Sequence, residues 1–209
     1  MDYFMGIINF IIHIDSYLKD FVYYYGFLTY LILFLVIFCE TGIVIFPFLP
    51  GDSLLFAAGS LAATGSLNIF TLILILCFGA VLGDTVNYYV GKNFGDAIIK
   101  RNIIKQAYLD ETYGFFEKHG GKTIAYARFV PVVRTVAPFV AGIGRMNYGY
   151  FLKFNLVSGI IWAIFFLLIG FFFGNIPFVE KNFSIVILGI IFISLLPPLI
   201  SFIYKKIKK

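Results

Sequence analysis

Three stretches of the chain, 23–39, 67–90 and 150–174, run almost unbroken through Leu, Ile, Val, Phe and Ala. A helix needs about 20 such residues to cross the roughly 30 Å of bilayer hydrocarbon. None of the runs alternates as a membrane-barrel strand must, so they specify helices. A fourth run, 183–204, also qualifies, although Pro197 and Pro198 fall near its end. Composition agrees: 61% of the 209 residues are hydrophobic and 13% charged, where soluble domains are about half apolar and about a quarter charged. The expected class is an all-α polytopic membrane protein. Its first residues, MDYFMGIINF, lack a basic n-region and a small-residue cleavage site, so no cleaved signal is expected. With His13 and Asp15 among its apolar residues, segment 1–22 reads as interfacial.

Two further stretches are apolar but broken. FPFLPGDSLLFAAG (46–59) carries Pro47, Pro50, Gly51 and Asp52; RFVPVVRTVAPFVAG (128–142) carries Arg128, Pro131, Arg134 and Pro138. Proline removes a backbone donor and clashes with the preceding turn, and broken backbone at membrane depth survives only against protein or a water-filled cavity. Both stretches read as re-entrant hairpins, over 43–63 and 123–145.

Basic residues orient the chain. Lys92, Lys100, Arg101, Lys105, Lys118 and Lys122 lie in the central loop and Lys205, Lys206, Lys208 and Lys209 in the tail, against a lone Lys181 near 175–182. The positive-inside rule puts the central loop and both termini in the cytoplasm, and the net charge of +5 is read as these loops, not as a nucleic-acid partner. With 150–174 and 183–204 as crossings, this works only if the second hairpin does not cross, and one hairpin then enters from each face.

The chain also repeats weakly. An offset of 79 residues places Asn68 on Asn147, Gly91 on Gly170 and Gly95 on Gly174; an offset of 83 places FAAG (56–59) on FVAG (139–142). Inverted repeats around broken helices are how many transporters frame a midplane site. The expected layout is one membrane domain: a first repeat over 23–95, an amphipathic cytoplasmic linker over 96–122, a second repeat over 123–175 and a last span at 183–204.

Five ionisable groups sit in or beside apolar stretches: Glu40, Asp52, Asp84, Arg128 and Arg134. Each costs roughly 2.5–3.5 kcal/mol unpaired at a helix centre, so they are expected to meet where the hairpin tips converge. A salt-bridge clamp with no substrate is one reading. The other divides the work. Arginine offers a planar fork of donors suited to phosphate, which makes Arg128 and Arg134 candidates for an anionic headgroup. Burial and a nearby arginine pull a carboxylate in opposite directions, so Glu40 and Asp52 are candidates for gating and proton coupling. Asp84 and Tyr88 read as helpers, with Gly83, Gly91 and Gly95 packing their helix.

Other chemistry is weakly signalled. GKNFG and GGKT lack the full phosphate-loop pattern. His13 and His119 are too few and too distant for a metal site or a phosphatase pair, and Cys39 and Cys77 lack metal spacing. Trp162 reads as core packing. No metal, cofactor or enzymatic activity is expected.

Glu40, PFLPGD (47–52), GDTVNYYVGKNFG (83–95) and RFVPVVRTVAPFVAGIGRM (128–146) together resemble the DedA family, also called the SNARE-associated or VTT-domain family, over about residues 25–175. The resemblance implies two facing re-entrant hairpins and a flippase for phosphate-bearing lipids in the bacterial cytoplasmic membrane. The substrate it implies is undecaprenyl phosphate or a phospholipid such as phosphatidylethanolamine, in some members with proton-motive-force dependence. It places the two acids and two arginines that matter for activity at Glu40, Asp52, Arg128 and Arg134. Pro50, Gly51, Pro131, Thr135, Pro138 and Gly142 fall in the same motifs as supporting residues. A proton-coupled small-ion or solute carrier, a lipid-phosphate hydrolase and a structural membrane protein are the competing readings.

Overall fold

The computed structural model describes residues 24–43, 51–101, 106–128 and 130–174, with a few isolated positions besides. The expected interfacial segment at 1–22 and the span at 183–204 fall almost wholly outside these residues, as do Pro47 and Pro50.

The described chain is helical: α1 (Phe27–Gly42), α2 (Gly51–Ala63), α3 (Ile69–Lys100), α4 (Gln106–His119), a 3-10 turn (Gly120–Lys122), α5 (Thr123–Ala127), α6 (Pro131–Ile143) and α7 (Tyr148–Gly174). Among the described residues, α3 and α7 are the helices long and apolar enough to cross a membrane. At 1.5 Å per residue, their 32 and 27 residues reach about 48 and 40 Å, beyond the hydrocarbon. Helix α1, at 16 residues, is shorter, because Gly26 turns the backbone to φ +40° just before it. The amphipathic linker read over 96–122 is divided: residues 96–100 continue α3, and α4 starts at Gln106.

The second broken stretch breaks early. Arg128 caps the end of α5 and Val130 the start of α6, and Pro131 opens α6 at its first turn, where a missing N–H costs nothing. Pro138, read as a breaker, sits inside α6 without ending it. Its ring removes the bond that the Arg134 carbonyl would receive; one residue on, the Thr135 carbonyl accepts from Asn87 Nδ2 of α3 at 2.7 Å.

The repeat extends from sequence to contacts. Helix α2 packs along α7, and α3 packs along α6. A Cβ on Gly170 would strike the Phe56 carbonyl, and one on Gly91 would strike the Phe139 carbonyl. Likewise Gly59 lies on the Leu167 backbone and Gly142 on the Tyr88 backbone, while Gly174 meets Ser60 and Gly95 meets Ile143. Each pair maps onto its counterpart by the same two offsets, 83 along α2 and α6 and 79 along α3 and α7. The caps repeat too: Asn68 Oδ1 accepts from Thr71 N before α3, and Asn147 Oδ1 accepts from Tyr150 N before α7. Small residues at helix crossings let backbones approach closely where lipid gives no hydrophobic drive.

Packing fills three apolar clusters. One joins Ile37, Leu55, Leu72, Leu76, Trp162 and Leu167; a second gathers Tyr88, Val133, Ala137 and Phe151; a third holds Leu109, Val136 and Phe139 under α4. On the outer face of α3, Phe70, Leu74 and Phe78 recur every fourth residue and are exposed, as a lipid-facing stripe would be.

Candidate functional site

Where α1, α2, α3, α6 and α7 converge, the five ionisable side chains collect into two linked groups. Arg134, one turn into α6, reaches α1 and α2 at once. Its Nη2 pairs with Glu40 Oε1, and its Nη1 donates to Asp52 Oδ1 at 2.8 Å. Glu40 is fully buried. Gly51 makes that burial possible, because any Cβ there would land on the Glu40 carboxylate.

Arg128, at the break before α6, turns the other way. Its Nη2 pairs with Asp84 of α3 and donates to Asn155 Oδ1 at 2.6 Å, and its Nε donates to Ser158 Oγ at 3.0 Å. Asn155 is itself anchored, its Nδ2 donating to the Val81 carbonyl at 3.0 Å. Trp162 joins the groups: its Nε1 donates to Asp52 Oδ1 at 2.8 Å, and the Arg134 and Arg128 guanidiniums lie over its ring at 5.4 and 5.7 Å.

Three carboxylates therefore face two guanidiniums, and with all five ionised the cluster carries one net negative charge. A small cavity lined by Thr41, Asp84, Arg128, Arg134, Thr135 and Trp162 lies among them, its interior about the size of one water. Breaking one partner of such a buried pair costs about 3–5 kcal/mol, so this is a tightly held polar centre inside an apolar protein.

The sequence-predicted residues are thus brought together unequally. Glu40, Asp52, Arg128 and Arg134 meet as expected, but Glu40 extends from α1 and not from a hairpin. Asp84, read as a helper beside a glycine packing face, is the direct partner of Arg128. Those glycines do pack, Gly83 on α1 and Gly91 and Gly95 on α6. Tyr88 stands apart, its hydroxyl donating to the Met146 carbonyl while its ring stacks on Phe151. Thr135 lines the cavity, Gly142 seats α6 on α3, and Pro50 falls outside the described residues. Asn155, Ser158 and Trp162 were missed. Their spacing of three and four residues places them on one stripe of α7, a polar stripe on a helix otherwise apolar.

Helices throughout the described residues, two of them long and apolar enough to span a membrane, around a buried ion-pair centre define a class of integral membrane protein, and the sequence places this one within that class. Residues 49–172 match the VTT domain, more than half of the chain, so it belongs to the VTT-domain family, the DedA family of membrane proteins. It is 48% identical to Protein DedA of Escherichia coli (strain K12) over 211 residues, covering 99% of this chain and 96% of that protein. It is 44% identical over 172 residues to the membrane protein Rv0364 of Mycobacterium tuberculosis (strain ATCC 25618 / H37Rv), covering 80% and 75%. It is 34% identical over 151 residues to Inner membrane protein YqjA of Escherichia coli (strain K12), covering 71% and 69%. No solved structure is a significant match.

Proposed function

We propose that this protein is a lipid transporter, not an enzyme, and that it flips a phosphate-bearing lipid across the bacterial cytoplasmic membrane with proton coupling. Undecaprenyl phosphate is the favoured cargo, ahead of a phospholipid such as phosphatidylethanolamine. The observation that carries this reading is Arg134 of α6, held at once by Glu40 of α1 and Asp52 of α2. A guanidinium clamped between carboxylates from two other elements is a site whose anions can be exchanged, and phosphate is the anion its fork suits. In this reading the stretches at 43–63 and 123–145 are re-entrant and enter from opposite faces, with both termini cytoplasmic. The inner-membrane name of YqjA supports the location.

Exchange needs a proton balance. A phosphate arriving beside three carboxylates adds negative charge to a centre that already has one acid in excess, so a proton delivered to Glu40 or Asp52 favours its entry. The test is flipping of a fluorescent lipid phosphate in proteoliposomes across an imposed pH gradient. We expect acceleration by the gradient in the wild type, loss of flipping in Arg134→Ala and Glu40→Ala, and gradient-independent residual flipping in Glu40→Gln. Wild-type rates in Arg134→Ala and Glu40→Ala, both eluting as folded protein, would overturn the assignment.

One observation favours a second reading. The cavity as it stands admits about one water, a size that suits a small ion without rearrangement. A proton-coupled ion carrier would take up radiotracer into vesicles in the absence of any lipid phosphate.

A further inference from the structure

A single carboxylate oxygen, Asp52 Oδ1, receives two charged or strongly polar donors from two different helices. Arg134 Nη1 of α6 and Trp162 Nε1 of α7 each stand at 2.8 Å from it. The indole has one donor and no acceptor. The ring belongs to the core cluster of Leu55, Leu76, Ala163 and Leu167 and stands edge-on to Phe166 at 6.2 Å between centroids, while its N–H meets Asp52 in the polar centre. The guanidiniums over its ring lie within cation–π reach, so Trp162 also fixes where Arg134 sits.

A phosphate oxygen placed where Asp52 Oδ1 stands would meet both donors at unchanged lengths, since carboxylate and phosphate oxygens offer a guanidinium equivalent acceptors. Of the three acids, Asp52 is the least buried, its side chain 16% exposed against 1% for Glu40 and 6% for Asp84. It is therefore the one that leaves most cheaply, while Glu40 stays on Nη2 and keeps the fork oriented. The adjoining cavity has no room for a phosphate as well as the carboxylate, so an entering headgroup has to replace it.

We propose that Trp162 and Arg134 form a two-donor seat for a phosphate oxygen, which Asp52 fills at rest and vacates when a lipid phosphate enters. This rests on the transport reading above and assigns its recognition step: Trp162 is a substrate-binding residue, and Asp52 is the chain's own competing anion.

Trp162 is the sole tryptophan in the chain, so fluorescence excited selectively at tryptophan, beyond tyrosine absorption, reports on the seat alone. The purified full chain is titrated in detergent with short-chain phosphatidic acid, with the matching diacylglycerol and with inorganic phosphate. Phosphatidic acid is expected to shift the emission and diacylglycerol to leave it unchanged. Asp52→Asn is expected to bind phosphatidic acid about tenfold tighter or more, because the competing charge is gone; Trp162→Phe, followed by calorimetry, is expected to bind about tenfold weaker. A purely structural Asp52 would give no gain. If the wild type binds phosphatidic acid but Asp52→Asn, folded, binds no tighter, or Trp162→Phe binds equally well, the seat is wrong and the transport reading stands. If no phosphate compound binds the wild type or Asp52→Asn, both fail. Equal affinity for inorganic phosphate supports the seat and counts against a lipid cargo.

Discussion

Arg128 and Arg134 carry the same side chain six residues apart, yet their surroundings give them different work. Arg128 is held by Asp84, Asn155 and Ser158 and lies over Trp162, all on the long helices α3 and α7. Its Asp84, Asn155 and Ser158 partners are themselves buried, so it pins the break before α6 to the two spanning helices. Arg128→Met would strand Asp84 in a low-dielectric interior and should cost about 3–5 kcal/mol, read as a fall in thermal stability in detergent. Adding Asp84→Leu removes the stranded charge and should restore most of that loss, since well-packed apolar replacements of buried pairs are often near neutral. A double variant no more stable than Arg128→Met would mean that Asp84 is not its energetic partner. The five charged residues of the centre were legible because a charge in an apolar stretch is conspicuous at any spacing. Trp162 was not, because a tryptophan in IIWAIFF looks like packing until α2 is laid against α7 and puts Asp52 at its N–H.

Helix α6 illustrates what local rules can and cannot convey. Pro131 is where the rules put it, opening the helix, but Pro138 does not end α6, and Asn87 reaches across from α3 to the Thr135 carbonyl, next to the one the proline frees. The Asn87 bond is a tertiary contact, invisible to any window along the chain. The helix crossings, by contrast, were foreshadowed by the repeated glycines, since Gly91 and Gly170 each face the carbonyl of the phenylalanine that opens the FVAG or FAAG motif on the opposing helix. Gly91→Ala and Gly170→Ala should therefore destabilise by similar amounts, about 1–3 kcal/mol each, through forced separation of packed backbones. Gly114, in α4, has nothing within 4 Å of a built Cβ; Gly114→Ala should be neutral or stabilising by up to about 1 kcal/mol from helix propensity. Unfolding of all three in one detergent decides it, and a loss at Gly91 without one at Gly170 would break the equivalence of the two crossings.

At the scale of the molecule, the proposed topology puts equivalent turns on opposite sides of the membrane. The turn between α2 and α3 holds exposed Gly65 and Thr64, and its counterpart between α6 and α7 holds exposed Gly144 and Arg145. If the lysine-bearing segment from Lys92 to Lys122 faces the cytoplasm, α3 ends inside, and so its beginning at Ile69 lies outside. Helix α7 then starts inside, and α6 must return to the face from which α5 entered. In a background with Cys39 and Cys77 replaced by alanine, a membrane-impermeant thiol reagent should label Thr64→Cys in intact spheroplasts and Arg145→Cys only in inverted vesicles. Glu117→Cys, on α4, should follow Arg145→Cys. Labelling of Thr64→Cys and Arg145→Cys from one side would mean that α5–α6 crosses the bilayer, and the two carboxylate-bearing elements would then approach Arg134 without the opposed entry that alternating access at a shared midplane site demands.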